Sequence, residues 1–473
     1  MTAWTAAPAR GRLPRLGFDG RAGAPAWRPA TVRSHEELVA AAVRWTVLLI
    51  PVNWICGTTP FWCFGVAAVL LARARVLSLP GVLLAGLMAA LTAGLVMGVG
   101  RGAPLDRAFS SVYNLLVLGV MLAFLNGGIR LGSAGGDRHR SALYRAALAV
   151  FAVNAALVAV VWVYAKATGT YDTAIRALVL GLAGELPGVF GEYGRVYFTL
   201  TDWTVNGPVL RVLGLGVYAT EGALLFLLLG LLGAVAAQRR RRVWLVVAIE
   251  VGIAVGLVLM ASRTTLGAYL LSTLLLGALQ RGRAARLAVI ATPVLVAVSL
   301  VLLVDGGQAI ADWFAARNSE RLGSSDTRFL SYTTAAALVL AQNPLTGLGI
   351  KPVDVSLMEI PIGSHSTLSS MFTKGGAIGL LTVVTLMLTL LAGVVRGQAA
   401  VWAGDWRRLD GHVRYELVQL TRCVFVTLLW WITEDLDAPV YEAAMAGLCF
   451  GLMWAAVARA ARRGNAPPAV GRW

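Results

Sequence analysis

Apolar segments long enough to cross a membrane recur along nearly the whole chain, and this limits the fold more than any other feature. Hydrophobic residues make up 58% of the 473 positions and charged residues only 14%, whereas about a quarter of an ordinary soluble domain is charged. A run of about 20 apolar residues crosses a bilayer as a helix. The sequence therefore predicts an all-α, polytopic integral membrane protein with about twelve transmembrane helices. The predicted spans are roughly residues 40–56, 60–73, 79–100, 109–126, 144–166, 208–236, 243–260, 264–280, 287–304, 372–395, 415–433 and 440–459.

Arginine residues gather in the short loops that connect alternate pairs of spans, as in residues 239–242. Cytoplasmic loops of membrane proteins carry such an excess of positive charge. This placement predicts a cytoplasmic N-terminus and leaves two long segments, about 167–207 and 305–371, on the outer face. The same loops account for the net charge of +17. Because the chain has no basic stripe with interleaved aromatic residues, no nucleic-acid partner is predicted.

The two ends of the chain differ in composition from the spans. Residues 1–34 are rich in Arg, Pro, Gly and Ala and lack the apolar segment of a cleaved signal peptide, so we expect a disordered cytoplasmic tail. Residues 35–460 then form one transmembrane domain, and residues 461–473 form a second cytoplasmic tail. The four cysteines lack the spacing of a metal site, and neither a metal nor a cofactor is predicted. Cys56 and Cys63 flank a predicted outer turn, where they form either a disulfide or ordinary helix contacts.

The segment from Asn343 to Leu381 begins as a polar loop broken by glycine residues and ends inside a span. A short amphipathic helix is predicted before it, from about residue 327 to the stop signal Asn343-Pro344. The loop contains His365, which is the only one of the four histidines that the predicted topology places on the outer face. Histidine exchanges a proton near neutral pH. His365 is therefore either a general base or an ordinary surface residue of the loop.

Arginines on the predicted outer face are the second chemical signal, because the positive-inside bias does not explain them. They are Arg211, Arg263, Arg317, Arg321 and Arg328. Guanidinium groups bind phosphate oxygens in a bidentate way, so these arginines indicate an anionic ligand. The alternative is ion pairing with outer carboxylates such as Glu221, Asp326 and Glu434.

Further charged residues are predicted on the same face. Lys351 and Lys374 are additional phosphate-binding candidates. Glu434, Asp435 and Asp437 form an acidic cluster that orients His365, binds an acceptor, pairs with the arginines or is simply a solvated turn. The chain lacks a P-loop lysine motif and an HExxH motif, and no nucleotide site is visible in the cytoplasmic half. An enzyme working on the outer face would therefore use a substrate that arrives already activated on a lipid.

Four segments between residues 211 and 381 form an ordered set of motifs. They read RVLGLGVYATEGALL, MASRTTLGAYLL, DTRFLSYTTAAALVLAQNPLTGLGI and HSTLSSMFTKGGAIGLL. In this order and on this face they resemble the O-antigen ligase and O-antigen polymerase family of bacterial membrane glycosyltransferases. The resemblance implies that Arg211, Arg263 and Arg328 bind phosphate groups and that His365 is the family's histidine.

The resemblance also implies a reaction. A glycan carried on a polyprenyl diphosphate would be transferred to an acceptor hydroxyl on the outer face of the bacterial cytoplasmic membrane, without a metal and with inversion at the anomeric carbon. His365 would accept the hydroxyl proton while the arginines stabilise the leaving diphosphate. Secondary site residues would be Lys351, Lys374, Arg321, Glu434 and Asp435. Ser366 and Lys374 depart from the family, which usually has asparagine and an acidic residue at these positions.

The acceptor and the exact reaction stay open at this point. The acceptor is a glycan, a lipid or a protein. One alternative within the family is a polymerase that joins lipid-linked repeat units. An alternative from another class is a transporter of lipid-linked glycan, although transporters tend to place charges at mid-membrane in repeated halves and the chain shows no convincing repeat.

Overall fold

Long helices packed side by side form most of the molecule. The computed structural model describes residues 30–73, 76–133, 137–170, 172–183, 189–204, 207–277, 328–353, 361–402, 411–435 and 440–464. The helices in the first half are α1 (Ala30–Leu48), α2 (Ile50–Cys56), α3 (Thr59–Arg73), α4 (Leu79–Gly100), α5 (Leu105–Ser133), α6 (Asp137–Thr168) and the short α7 (Val189–Glu192). Those that follow are α8 (Ala219–Arg239), α9 (Val243–Leu259), α10 (Arg263–Ser272), α11 (328–342), α12 (Thr367–Trp402), α13 (Gly411–Thr433) and α14 (Val440–Gly464).

Seven of these helices, α4, α5, α6, α8, α12, α13 and α14, are long and apolar enough to cross a membrane. The pair α1 and α2 adds an eighth crossing if it forms one span, bent by 57° where Pro51 interrupts the backbone hydrogen bonding. These helices confirm a polytopic helical membrane protein, but they do not confirm twelve spans. The predicted span 243–260 is a helix of 17 residues, the span 264–280 begins as the ten-residue α10, and 287–304 lies outside the described residues.

The bundle is organised around α8, which is buried along almost its whole length. A helix that is apolar all round is stable only when other helices or lipid surround it. The outer helices α4, α6 and α12 instead leave large apolar side chains exposed, among them Val96, Val160 and Leu388. Such a surface is unfavourable in water, so it fits an environment of lipid chains.

The all-α prediction does not hold for the segment before α8, which contains a small β-sheet. Strands β1 (Thr173–Arg176), β2 (Arg195–Thr204) and β3 (Gly207–Val212) form an antiparallel sheet in the order β1-β2-β3. The sequence of β2, RVYFTLTDWT, is rich in aromatic and β-branched residues, which favour strands. Arg211 lies on β3, opposite Leu200 on β2. The prediction placed Arg211 inside the span 208–236, but the helix of that span begins only at Ala219.

Helix α12 is broken near its start, and the loop that follows α11 fills the break. Gly376 has φ 60° and ψ −153°, a conformation that is open to glycine alone. At this break the backbone N–H of Leu348 donates to the carbonyl of Thr373 at 2.8 Å, and the N–H of Ala377 donates to the carbonyl of Pro344 at 2.8 Å. Broken helices inside a membrane protein survive when neighbouring backbone satisfies the freed groups.

Helix α4 fixes this joint from the other side. A Cβ atom on Gly94 would lie 2.3 Å from the carbonyl oxygen of Lys374, and one on Gly98 would lie 2.4 Å from that of Leu348. Only glycine permits such a close approach of two backbones. The loop after α11, the part of α12 near its break and α4 therefore form one tightly packed joint.

Two clusters of buried charge lie away from this joint. Between the helices, Arg422 of α13 donates to both carboxylate oxygens of Glu250 of α9 at 2.7 and 3.1 Å, and also to Thr273 at 2.7 Å. At the end of the bundle where α8 finishes, Glu416 lies within 4 Å of three arginines. These are Arg140, Arg239 and Arg459.

Candidate active site

A cavity of about 670 Å³ opens at the end of the bundle where α5, α8 and α11 begin and α13 finishes. Segments that are far apart in the sequence meet around it, including strands β2 and β3, the loop before α12 and the turn after α13. The charged or titratable side chains that line it are Arg107, Tyr113, Glu192, Tyr193, Arg211, Tyr218, Glu221, Arg328, Lys351, His365, Glu434 and Asp435. This end lies opposite the arginine cluster around Glu416, because α8 begins at the cavity and finishes at Arg239.

His365 occupies an unusual backbone conformation at the edge of this cavity. Its φ of 65° lies in the left-handed region, which costs a residue other than glycine roughly 1–2 kcal/mol. The hydroxyl of Tyr332 in α11 donates to the carbonyl of His365 at 2.7 Å, and the N–H of Gly363 donates to the hydroxyl of Ser331 at 2.9 Å. These bonds hold the loop in place, and such strain is concentrated at functional sites.

The start of α12 brings the acidic turn to the histidine. Both the backbone N–H and the hydroxyl of Thr367 donate to the carbonyl of Glu434, at 3.0 and 2.8 Å. The first of these bonds pairs the first N–H group of one helix with a carbonyl at the end of another, where each would otherwise lack a helical partner. As a result, the residues that follow α13 lie beside the residue that precedes α12.

Cationic side chains converge on the same place. The Nζ atom of Lys351 lies 2.8 Å from Oδ2 of Asp435. Arg328 stands at the start of α11, and its charge acts on both His365 and Glu434. The charge of Arg211 on β3 also acts on Glu434. We define the cationic wall of the cavity as Arg211, Arg328 and Lys351.

The protonation states suit proton transfer. Burial lowers the pKa of His365 below its ordinary value of 6.5, and the charges of Arg328 and Lys351 lower it further, while Asp435 opposes them. The imidazole is therefore neutral at neutral pH and able to accept a proton. Burial raises the pKa of Glu434 from 4.5 to about 7, against the opposing charges of Arg328 and Arg211 and with the support of Asp435.

The structure places six of the nine predicted site residues around the cavity and two others away from it. The six are Arg211, Arg328, Lys351, His365, Glu434 and Asp435. Arg263 is the first residue of α10 and Lys374 is buried in α12, two residues before the break, and neither lines the cavity. Arg321 lies outside the described residues. The roles of all nine stay predictions.

A second group of lining residues was missed by sequence reasoning, which named Glu221 only as an alternative ion-pair partner for the arginines. The hydroxyls of Tyr113 and Tyr193 are 2.9 Å apart, and the hydroxyl of Tyr218 donates to Glu192. Glu221 is buried in the first turn of α8. A carboxylate at the entrance of an apolar span is costly and usually functional, and that signal was available in the sequence.

No metal site or disulfide is found in the part of the chain that the structure describes. Within those ranges, no three His, Cys, Asp or Glu side chains are close enough to share a metal ion. All four cysteines are free thiols. Metal independence of the reaction stays a prediction.

Comparison with known proteins agrees with the resemblance in the sequence. Residues 250–384 match a family described as O-antigen ligase, and no curated protein matches the chain. The matched stretch runs from α9 into α12 and includes Arg263, Arg328, Lys351 and His365, whereas Arg211 lies before it. The match covers less than a third of the chain, and it confirms the family resemblance for that region.

Proposed function

Because residues 250–384 carry the O-antigen ligase region, we propose that the chain is a glycosyltransferase that moves a glycan from a polyprenyl-diphosphate-linked donor to an acceptor hydroxyl. The observation that carries the proposal is the meeting of His365 with Arg211, Arg328 and Lys351 around one cavity. These residues come from four separate segments, and their combination of one neutral base with three cations suits a leaving group of high negative charge.

The cationic wall binds the donor diphosphate. Arginine offers a planar fork of donors that matches phosphate oxygens, and lysine adds a point charge. As the bond between the anomeric carbon and the diphosphate breaks, the electron pair of that bond leaves with the diphosphate, and the cations stabilise this growing charge. Glu434 is half protonated near neutral pH because its pKa is raised to about 7, so it repels the diphosphate less than an ordinary carboxylate would.

His365 acts as the general base. Its neutral imidazole takes the proton of the acceptor hydroxyl as the hydroxyl oxygen forms its bond to the anomeric carbon. Attack from the side opposite the diphosphate inverts the configuration at this carbon. The diphosphate is already a good leaving group, so the proposed reaction requires neither a general acid nor a metal ion.

The active site faces the outer side of the bacterial cytoplasmic membrane, and both chain ends face the cytoplasm. The support is the contrast between the two ends of the bundle. The end opposite the cavity holds Arg140, Arg239 and Arg459 around Glu416, together with the basic loops that favour the cytoplasmic side. The cavity end carries the sheet, the loop before α12 and the turn after α13 instead.

Purified protein in lipid vesicles, supplied with lipid-linked glycan and acceptor, tests this proposal. We expect Arg328→Ala to lower kcat/KM by about 10²–10³-fold, as loss of one donor to a developing anion does elsewhere. Arg101→Ala is the matched control, because Arg101 donates to the carbonyl of Gln342 in α11 at 3.5 Å and does not line the cavity. Full turnover by Arg328→Ala would contradict the proposal.

The same assay separates the remaining alternatives. Arg263→Ala tests whether an arginine outside the described cavity also contributes to diphosphate binding. Treatment with EDTA should leave turnover unchanged. Mass spectrometry of the product identifies whether a lipid, a protein or a second lipid-linked glycan receives the sugar, which separates a ligase from a polymerase. Movement of lipid-linked glycan across the vesicle membrane without transfer would instead indicate a transporter.

A further inference from the structure

The lining of the cavity also contains a group of side chains that the diphosphate does not need. We define the polar wall as Ser110, Tyr113, Asn114, Glu192, Tyr218 and Glu221, which all line the cavity. It combines two carboxyl groups, two phenols, an amide and a hydroxyl from α5, α7, α8 and the residue that precedes α8. It offers a phosphate no cation, so its ligand differs in chemistry from that of the cationic wall.

The polar wall is held in a fixed arrangement. Tyr218 donates a hydrogen bond to Glu192, and the hydroxyls of Tyr113 and Tyr193 are 2.9 Å apart. Burial raises the pKa of Tyr218, and the nearby charges of Glu192 and Glu221 raise it further, so this phenol stays protonated and able to donate. A set of polar groups that is already positioned loses little entropy when a ligand binds.

Glu221 carries the observation that points to a ligand. Its residue surface is only 6% exposed, and its carboxyl accepts a hydrogen bond from the backbone N–H of Tyr218, in the manner of a capping box. The Oε2 atom of the same carboxyl is buried and has no hydrogen-bond partner among the described residues. Capping explains one contact of the group and leaves this oxygen unexplained. A buried carboxylate oxygen without a donor is unfavourable, and a ligand hydroxyl in the cavity would supply that donor.

We propose that the polar wall binds the sugar that is attached to the donor diphosphate, with Oε2 of Glu221 accepting a hydrogen bond from a sugar hydroxyl. This inference rests on the proposed function. The sugar is bonded directly to the diphosphate, so it lies in the same cavity as the cationic wall when the donor is bound. Sugars offer many hydroxyl donors, and carboxylates, amides and phenols are suited to bind them.

This division of the cavity has a consequence for turnover. Both walls hold the glycan-bearing donor, but the polyprenyl diphosphate that remains after transfer contacts only the cationic wall. The product therefore binds more weakly than the donor, which favours its release. The polar wall therefore sets the ratio of donor affinity to product affinity, and substitutions in the polar wall should change this ratio.

Competition binding with two lipids tests the inference. One probe is lipid-linked glycan extracted from membranes of the producing cell, and the other is polyprenyl diphosphate without glycan. We expect the wild-type protein to bind the first more tightly, and Glu221→Gln to reduce this preference by about tenfold, the value of one hydrogen bond. Arg328→Ala should weaken both lipids equally. Asp137→Asn is the matched control, because this carboxylate also lies in the first turn of a helix, is exposed and stands at the opposite end of the bundle from the cavity.

The outcomes separate failure of the inference from failure of the proposed function. Equal binding of both lipids by the wild-type protein overturns the inference alone, as does an unchanged preference in Glu221→Gln. A change in the KM of the acceptor with unchanged donor binding also overturns it, because the polar wall would then bind the acceptor. If neither lipid binds to the wild-type protein, the proposed function fails. Should Glu221→Gln not fold, Asn114→Ala carries the same expectation.

Discussion

Two groups in this molecule both combine arginine with acidic side chains, but in one group the charges are paired with each other and in the other they face a cavity. Between α9, α13 and the turn after α10, Arg422 and Glu250 form a bidentate pair, completed by Thr273 at 2.7 Å and by the hydroxyl of Tyr269 at 2.6 Å. Both charged side chains are less than 5% exposed. Around the cavity, Arg328 has no such carboxylate partner in the described ranges, and it faces about 670 Å³ of open volume.

The difference distinguishes a structural ion pair from a ligand site. Charges inside a membrane protein are costly, and they persist when a partner inside the protein satisfies them or when a ligand does. The pair between Glu250 and Arg422 belongs to the first kind, because its hydrogen bonds are supplied by neighbouring helices. Arg328 belongs to the second, because it faces the cavity and has no such pair among the described residues. Substitutions should therefore affect folding in one group and catalysis in the other.

The largest effect is expected for Arg422→Ala. Removal of the guanidinium leaves the Glu250 carboxylate buried without its main partner, and breaking a buried ion pair costs about 3–5 kcal/mol. Thermal unfolding in detergent should show a large fall in Tm and a low yield of folded protein. The double variant Glu250→Gln with Arg422→Met should recover part of the loss, because it leaves no unpaired charge. A single variant as stable as the wild type would show that the pair is not structural.

A similarly large effect, but on catalysis alone, is expected for His365→Gln. Loss of a general base lowers kcat by about 10²–10⁴-fold, and the side chain lies at a cavity, so Tm should stay near that of the wild-type protein. His139→Gln is the control, since this histidine lines a separate small pocket with Arg73 and Arg130 away from the site. If His365→Gln lowers Tm as much as activity, the residue belongs with the structural group.

These two groups also show what the sequence can and cannot reveal. The helix 328–342 and its end at Asn343 follow from local signals, namely apolar periodicity and an Asn-Pro stop. The break at Gly376 does not, because a glycine inside an apolar run has the same appearance whether or not the helix continues. The strand that carries Arg211 was read as part of a span, since a short apolar run does not distinguish strand from helix.

Contacts between residues that are far apart in the chain are harder still to predict from the sequence. Glu250 and Arg422 are 172 positions apart, and nothing local to either residue indicates the other. His365 was predicted as a candidate base from topology, and its neighbours Arg328 and Lys351 were predicted by charge and face. The polar wall was not, because Tyr113, Glu192 and Glu221 belong to three elements whose meeting depends on the packing of α5, α7 and α8.

A smaller effect is expected on the pH dependence of the reaction. The base must be neutral to accept a proton, so kcat/KM should rise with pH through the pKa of His365 in the free enzyme and then level off. Burial and the charges of Arg328 and Lys351 lower this pKa below 6.5. The acidic limb of the profile should therefore have its midpoint below 6.5, and Arg328→Met should move the midpoint upward. A midpoint above 6.5 in the wild-type protein would contradict this view of the cavity.

The smallest effect is expected for Glu434→Gln, measured as a difference in Tm from the wild-type protein between pH 4.5 and pH 8. Burial raises the pKa of Glu434 from 4.5 to about 7 in the folded protein. The folded state thus holds the proton more tightly than the unfolded state, and the stability this provides is present below pH 4.5 and is lost as pH rises through about 7. Glutamine resembles the protonated form at every pH, so the two proteins should unfold together at pH 4.5, and the variant should be more stable by about 2–4 °C at pH 8. If the difference in Tm between the two proteins does not depend on pH, the Glu434 carboxyl is paired as completely as that of Glu250. The contrast between the two groups would then not extend to their carboxylates.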